Sequence, residues 1–378
     1  MTISGLLSIF DDLPAYHGLL AELDKDASLP ALSLPKGAKA PILAKLYQAR
    51  KRPLLLLTGK VESAVSWHES LQTWLPEGSP LSRFPEPTPL PYDRGPWSER
   101  TRLGRLSILT QLIAQQHPLI PTPEIPPLVI TSVRAFLQKT IPTRRYLTST
   151  RVLNIGQTID LEQSLSMWSK MGYELVSVVE AAGQCSRRGG ILDIFPVAND
   201  YPVRIELFGD EIDTMRRCDP DTQRSLNNGI VAYLEHVVIT PAREALPGIA
   251  QDFVELWLGI DFSDDNGLPS WRDDIDDLRK GIVNSNMEIY LPYLYPRPAT
   301  LLDYLPQEGM LVVDDWFELE TAVRELREHA DQIANEQPSL PPAYPDPLMD
   351  WKTLKDELSW WDPLTLGKGL DIEQTITS

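Results

Sequence analysis

Cysteine is almost absent: Cys185 and Cys218 are the only two in 378 residues. Two thiols cannot build a disulfide framework or a thiolate metal cage alone. Both are expected as reduced side chains in or near the core, where free cysteine usually lies. Histidine is nearly as sparse, and His17, His68, His117, His236 and His329 show neither HxxxH nor HExxH spacing. No metal site and no cofactor is therefore expected. Long apolar runs are also missing, since none approaches the ~20 residues that cross a bilayer, so no membrane partner is expected. The N-terminus, MTISGLLSIFDDL, has no basic n-region and gains acids early. It does not read as a secretory signal, and a cytoplasmic location is the expectation.

Positive charge is scarce where a nucleic-acid binder would need it. The formal net charge is −18. Residues 1–133 hold 13 basic and 12 acidic side chains, residues 134–225 hold 12 and 12, and residues 226–378 hold 10 and 29. An acidic final third repels a phosphate backbone. Contact with DNA is therefore expected to be weak or indirect; its candidates would be Arg94, Arg100, Arg102, Arg105, Arg144 and Arg145, charge runs that on helices are usually solvated.

What is abundant is proline, 34 residues clustered in PEPTPLPYDRGP, PLIPTPEIPP and PSLPPAYPDP. Proline resists helix and central strand alike, so these segments punctuate the chain. Between about residues 40 and 140, short apolar strands (PLLLLT, PLVITS) alternate with helical patterns (PILAKLYQAR, ESAVSWHESLQTWL, ERTRLGRLSILTQLIA, VRAFLQKT). Continuous apolar strands separated by helices predict a parallel sheet covered on both faces. From about 142 a helix LEQSLSMWSKMGY precedes strands in ELVSVVE, SRRGGILDIFPV, YPVRIELFG and DEIDTMRRCD, which predicts a small antiparallel α+β unit. Strands in NGIVAYLEHVVIT and GMLVVD follow, then a helix WFELETAVRELREHADQIANEQ. Asp315 and Glu318 are spaced as a capping box for that helix, and Leu319, Val323, Leu326 and Ile333 share one of its faces. The helix MDWKTLKDELSWW closes the map. The expected divisions are 1–141, 142–225, 226–340 and a proline-rich linker with a C-terminal helix at 341–378.

The stretch LLLLTGKVESAVSW poses the question of a phosphate-binding loop. Such a loop needs G-x-x-x-x-G-K-[ST], with backbone N–H groups and lysine on the phosphates and a hydroxyl on magnesium. With Lys60 as the lysine, Leu54 and Val61 stand where glycine and Ser/Thr are required. Aligning the Thr58-Gly59 dipeptide with the interior of the loop instead puts Glu62 at the lysine and Ser63 at the hydroxyl. A carboxylate there turns attraction for a triphosphate into repulsion. The segment Thr58, Gly59, Glu62, Ser63 is expected to be a nonfunctional turn. LVVDDW resembles the acidic end of a nucleotide-hydrolysing strand, but Asp315 is already explained as a helix cap and the segment is expected in a different region from the loop. LFGDEID reads as a hairpin about Gly209-Asp210.

In YPVRIELFGD the strand period sets Val203, Ile205 and Leu207 on one face and Arg204, Glu206 and Phe208 on the other. The polar face suits solvent or a protein partner, since arginine and aromatics are enriched at interfaces. In SRRGGILDIFPV the glycines allow a bulge or sharp strand entry that leaves Arg187 and Arg188 projecting, with Ile191, Asp193 and Phe195 on one face.

LPYDRGPWSERTRLGRL, and above all SRRGGILDIFP followed by VRIELFGDEID, resemble the N-terminal module of bacterial transcription-repair coupling factors (Mfd), itself similar to the damage-recognition excinuclease protein UvrB. The order of parts agrees over essentially the whole chain, most closely at 85–246. The resemblance implies an α/β fold: a degenerate P-loop NTPase-like (RecA-like) parallel-sheet domain, an inserted small α+β domain, and a further mixed α/β domain. It implies an adapter without nucleotide hydrolysis of its own, whose inserted domain recruits the excinuclease protein UvrA through Arg188, Arg204 and Glu206, with Phe195 as an apolar anchor. Ser186 stands where UvrB has a further arginine, so that part of the contact set is expected to be absent or replaced by Arg187. The aromatic DNA-clamping hairpin of UvrB has no counterpart between Leu90 and Arg105. The resemblance also implies that the chain is part of a larger protein whose translocase and RNA polymerase-binding domains are intramolecular partners able to mask the docking surface. A nucleotide-dependent DNA-repair helicase of the UvrB type is the competing expectation.

Overall fold

The four leucines of strand β1 (Leu54–Thr58) are fully buried, with Leu55 and Leu57 in one core cluster and Leu54 and Leu56 in the other. A strand apolar on both sides belongs in a parallel sheet between two helix layers. In the computed structural model, which describes residues 2–24, 31–116, 120–226, 233–257, 269–280, 282–336 and 344–367, β1 is the centre of such a sheet. The described strands that follow are β2 (Leu81–Phe84), β3 (Leu128–Ser132), β4 (Arg151–Asn154), β5 (Glu174–Leu175), β6 (Gln184–Arg188), β7 (Ile191–Ile194), β8 (Val203–Phe208), β9 (Glu211–Arg217), β10 (His236–Ile239), β11 (Met310–Val313) and β12 (Leu364–Thr365). His117 and residues 228–232 of the expected strand region lie outside the described residues.

The first sheet runs β12-β11-β1-β3-β2, parallel throughout. Helices Glu99–Ala114 and Val133–Leu137 contribute to one core cluster; Lys36–Arg50 and Val61–Trp74 contribute to the other. Strand β11 stands directly beside β1, Leu54 opposite Met310 and Leu57 opposite Val313. The segment LVVDDW therefore does not lie in a different region from the loop, as its distance along the chain suggested, but at the same sheet end. The helix Trp316–Glu336 begins there and buries Leu319 and Val323.

The second sheet runs β5-β6-β7-β8-β9, antiparallel except for the short β5/β6 pair. Only Glu174–Leu175 of the expected ELVSVVE strand pairs. Its inner face is Cys185, Leu192, Ile194, Val203, Ile205, Ile212 and Met215, all buried in one cluster with Trp168 of the helix Leu161–Lys170. Both cysteines are buried and free. SRRGGILDIFPV is not one bulged strand but a hairpin, β6 and β7, turning at Gly189-Gly190 with Arg188 paired to Ile191. Gly189 has φ +62° and Gly209 of the next hairpin φ +64°, a region where a side chain is strained. A separate antiparallel pair, β4 with β10, carries the chain into and out of this unit.

Arg105, one of the arginines weighed for DNA contact, is 0% exposed. Its Nη2 donates to Glu244 Oε2 at 3.1 Å, its Nε bonds the other carboxylate oxygen, and its guanidinium lies 4.2 Å from the Phe84 ring centre and 5.0 Å from that of Trp97. It is a tie between the helix Glu99–Ala114 and the segment after β10, and it faces no solvent. No helix among the described residues is long and apolar enough to cross a membrane.

Candidate protein-docking surface

The turn after β1 is short and closely packed. Only Gly59 and Lys60 separate β1 from the helix Val61–Trp74. A Cβ on Gly59 would lie 2.9 Å from the Glu318 carbonyl oxygen, so the first turn of the helix Trp316–Glu336 packs directly against this turn. Thr58 is fully buried and its hydroxyl donates to the Lys60 and Thr131 carbonyls at 3.1 and 3.3 Å. Lys60 faces outward to Glu325 at 3.2 Å. Glu62 is exposed and Ser63 half-buried, both lining a cleft of about 560 Å3 with Asp314 and Asp315. Asp314 is already engaged: Lys39 Nζ lies 2.6 Å from its Oδ1 and Trp67 Nε1 donates to its Oδ2 at 2.8 Å. Asp315 Oδ1 accepts from the backbone N–H groups of Phe317 and Glu318 at 3.0 and 3.1 Å, the cap expected from its spacing.

The second sheet presents a different kind of face. Its register sets Ser186, Asp193, Arg204 and Arg216 in one transverse row and Arg188, Ile191, Glu206 and Thr214 in the next. Strand alternation places all of these opposite the apolar core face. Arg204 and Asp193 form a two-pronged pair, Nε to Oδ1 at 2.7 Å and Nη2 to Oδ2 at 2.9 Å. Hydrogen bonding to that carboxylate pushes the guanidinium pKa up. Glu206 accepts from Arg216 Nη2 and, at 3.2 Å, from Thr214 Oγ1. Arg188 is exposed and donates through Nη2 to the Ser177 carbonyl at 2.8 Å. Phe208 stands at the end of the face, 84% exposed, and a β-bridge to Arg216 puts Tyr233, 66% exposed, at its border.

Two expected contributors lie elsewhere. Arg187 follows Ser186 and precedes Arg188, so its side chain leaves the sheet on the other side. There its Nη1 lies 3.8 Å from Glu162 Oε1 on the helix Leu161–Lys170. It does not fill the place of an arginine at 186, and Ser186 itself is buried opposite Asp193. Phe195 is only 8% exposed, its backbone tied to Gly183 and Gln184. It is an interior side chain, and the exposed ring on this sheet is Phe208.

Arg216 and Tyr233 were not foreseen. A two-residue turn at Gly209-Asp210, continued without interruption, sets Met215 opposite Arg204. The ladder instead shifts between Glu206 and Leu207, pairing Glu206 with Thr214 and Arg204 with Arg216. That bulge returns Met215 to the core and brings Arg216 to the polar face. A polar-apolar-polar reading of Thr214, Met215 and Arg216 carries the signal for it.

Residues 152–244 match the family model described as the UvrB interaction domain, a range that contains the whole second sheet. The chain is similar to the transcription-repair-coupling factor of Bacillus subtilis (strain 168), 27% identical over 335 residues, 86% of this chain and 27% of that relative. It is similar to the transcription-repair-coupling factor of Staphylococcus aureus (strain MRSA252), 26% identical over 313 residues, 79% of this chain and 25% of that relative. That of Staphylococcus epidermidis is 26% identical over 310 residues, with the same coverage. The chain spans about a quarter of the length of these curated relatives.

Proposed function

We propose that this chain is the UvrB-like adapter module of a transcription-repair coupling factor and that it recruits the excinuclease protein UvrA to stalled transcription in nucleotide excision repair. One observation carries the reading: the family match at 152–244 falls on the sheet whose polar face carries exposed Arg188, Phe208 and Tyr233 around two ion pairs within the face. An aromatic ring, an arginine and preorganised charges are the composition of a protein-binding hot spot. The pairs Asp193–Arg204 and Glu206–Arg216 hold their side chains in place before docking, which lowers the ordering cost of association.

In this reading the first sheet is a degenerate P-loop NTPase-like, RecA-like domain that has kept its architecture and lost its ligand. The close packing at Gly59 and the engagement of Asp314 by Lys39 and Trp67 support that view. The longer relatives imply further regions of the same polypeptide, including translocase and RNA polymerase-binding domains, as intramolecular partners. Contact with DNA is then indirect.

Titration calorimetry of the chain with UvrA tests the proposal. The Arg188→Ala, Phe208→Ala double variant should lose measurable association while keeping its unfolding midpoint. Losing one partner of a desolvated charged contact alone costs about 2–5 kcal/mol. Unchanged affinity rejects this face. Micromolar binding of a fluorescent ATP analogue with magnesium would instead favour a nucleotide-dependent helicase.

A further inference from the structure

A cleft of about 410 Å3, away from the docking face, lies at the seam where the helix Glu99–Ala114 meets the turn after Lys170, the start of β6 and the segment after β10. Arg102 borders it, half-buried, and its guanidinium has no ion pair or hydrogen bond among the described residues. Beside it the buried Arg243 is already neutralised: its Nη1 lies 3.2 and 3.1 Å from the two carboxylate oxygens of the buried Glu288. Burial holds the Arg243 pKa below its ordinary value, and the Arg102 charge pushes the same way against Glu288 and Glu174. The two guanidinium groups therefore share one electrostatic neighbourhood, in which Arg102 forms no ion pair among the described residues.

Neutral donors accompany it. Gln184 Oε1 accepts from the backbone N–H groups of Glu180 and Ala181, both at 3.0 Å. Those two bonds fix the amide and leave Nε2 as a donor with no partner among the described residues. Ser169 and Ser285 also line the cleft, and their hydroxyls have no hydrogen-bond partner among the described residues. Glu99 and Glu174 border the same space but are exposed, so solvent and salt screen their charge more than that of the inner groups.

From this geometry we propose that the cleft is an oxyanion site centred on Arg102, with Gln184 and the two serines as further donors. A planar guanidinium accepts a carboxylate or phosphate in a two-pronged grip. The ligand chemistry is an oxyanion, supplied free as phosphate or carried by an acidic side chain of another protein segment. Its occupation would join the helix Glu99–Ala114 to the second sheet independently of UvrA docking.

The test is thermal unfolding of the whole chain in inorganic phosphate, in glutarate and in sodium chloride at matched ionic strength. Ligand that binds only the folded state raises the midpoint in a saturable way. Wild type should show a saturable rise in at least one oxyanion beyond that in chloride. Arg102→Met should need at least tenfold more, and Arg102→Lys should lie between. Response to phosphate alone assigns the site to phosphate groups; an equal response to glutarate assigns it to carboxylates. A rise in wild type no larger than in chloride, or a saturable rise that Arg102→Met leaves unchanged, overturns the proposal. Should Arg102→Met lose its cooperative transition, a response in Arg102→Lys identical to wild type overturns it equally.

Discussion

Phe208 ends β8 and Phe195 directly follows β7, the neighbouring strand, yet one ring is solvated and the other interior. Exposure of a large ring costs hydrophobic free energy unless a partner covers it. Phe208→Ala should therefore weaken association with UvrA by tenfold or more, about 1.4 kcal/mol, without lowering stability. Phe195→Ala should lower the unfolding free energy instead, which urea denaturation of both variants would separate. Arg204 belongs with Phe195 in this respect, because its removal strands the buried Asp193 carboxylate. The cysteines offer a second check. Burial pushes the Cys185 thiol up to about 12 and raises that of Cys218 in the same direction. Only the thiolate reacts, so neither should be alkylated by iodoacetamide at pH 8 in the folded chain, and both should react in urea. A third concerns Arg105. Arg105→Met leaves Glu244 as an unpaired buried carboxylate and should cost about 3–5 kcal/mol, measured as a shift in the urea midpoint.

Among the elements, the turn between β1 and the helix Val61–Trp74 has a tight steric requirement. Gly59→Ala drives a methyl group against the Glu318 backbone. Overpacking of this kind costs about 1–3 kcal/mol, and the loss should appear in chemical denaturation. The helices Glu99–Ala114 and Trp316–Glu336 were legible almost to their ends, because apolar spacing and the flanking polar and proline-rich segments agree there. The two hairpins were less so. Gly209-Asp210 between alternating strands announces a turn, but the shift past Glu206 depends on which of Asp213, Thr214, Met215 and Arg216 the core takes up. That is decided by packing against Trp168 and its neighbours, which local pattern does not contain. Phe195 lies one residue past β7, where strand alternation no longer sets its side, whereas for Arg187 the reason is register. A bulge at Gly189-Gly190 does not determine the parity of β6 relative to β7; the hairpin does.

For the whole molecule, the parallel sheet was readable from PLLLLT and PLVITS, whereas its completion by β11 and β12 was not. Parallel neighbours are joined by long crossovers, so their pairing leaves no local trace. The same folding-back places Lys39 and Trp67 on Asp314, in the wall of the cleft beside Glu62. The α/β body is tied to the segment after β10 by Arg105 with Glu244, beside which Arg243 pairs with Glu288. The central claim, that this sheet and not the cleft beside β1 is the working surface, is tested most directly by amide hydrogen exchange with and without UvrA. Protection should gather at 184–194, 203–217 and around Tyr233, with residues 54–74 unchanged. Protection confined to 54–74 and the start of the helix Trp316–Glu336, with the second sheet unaffected, would contradict it.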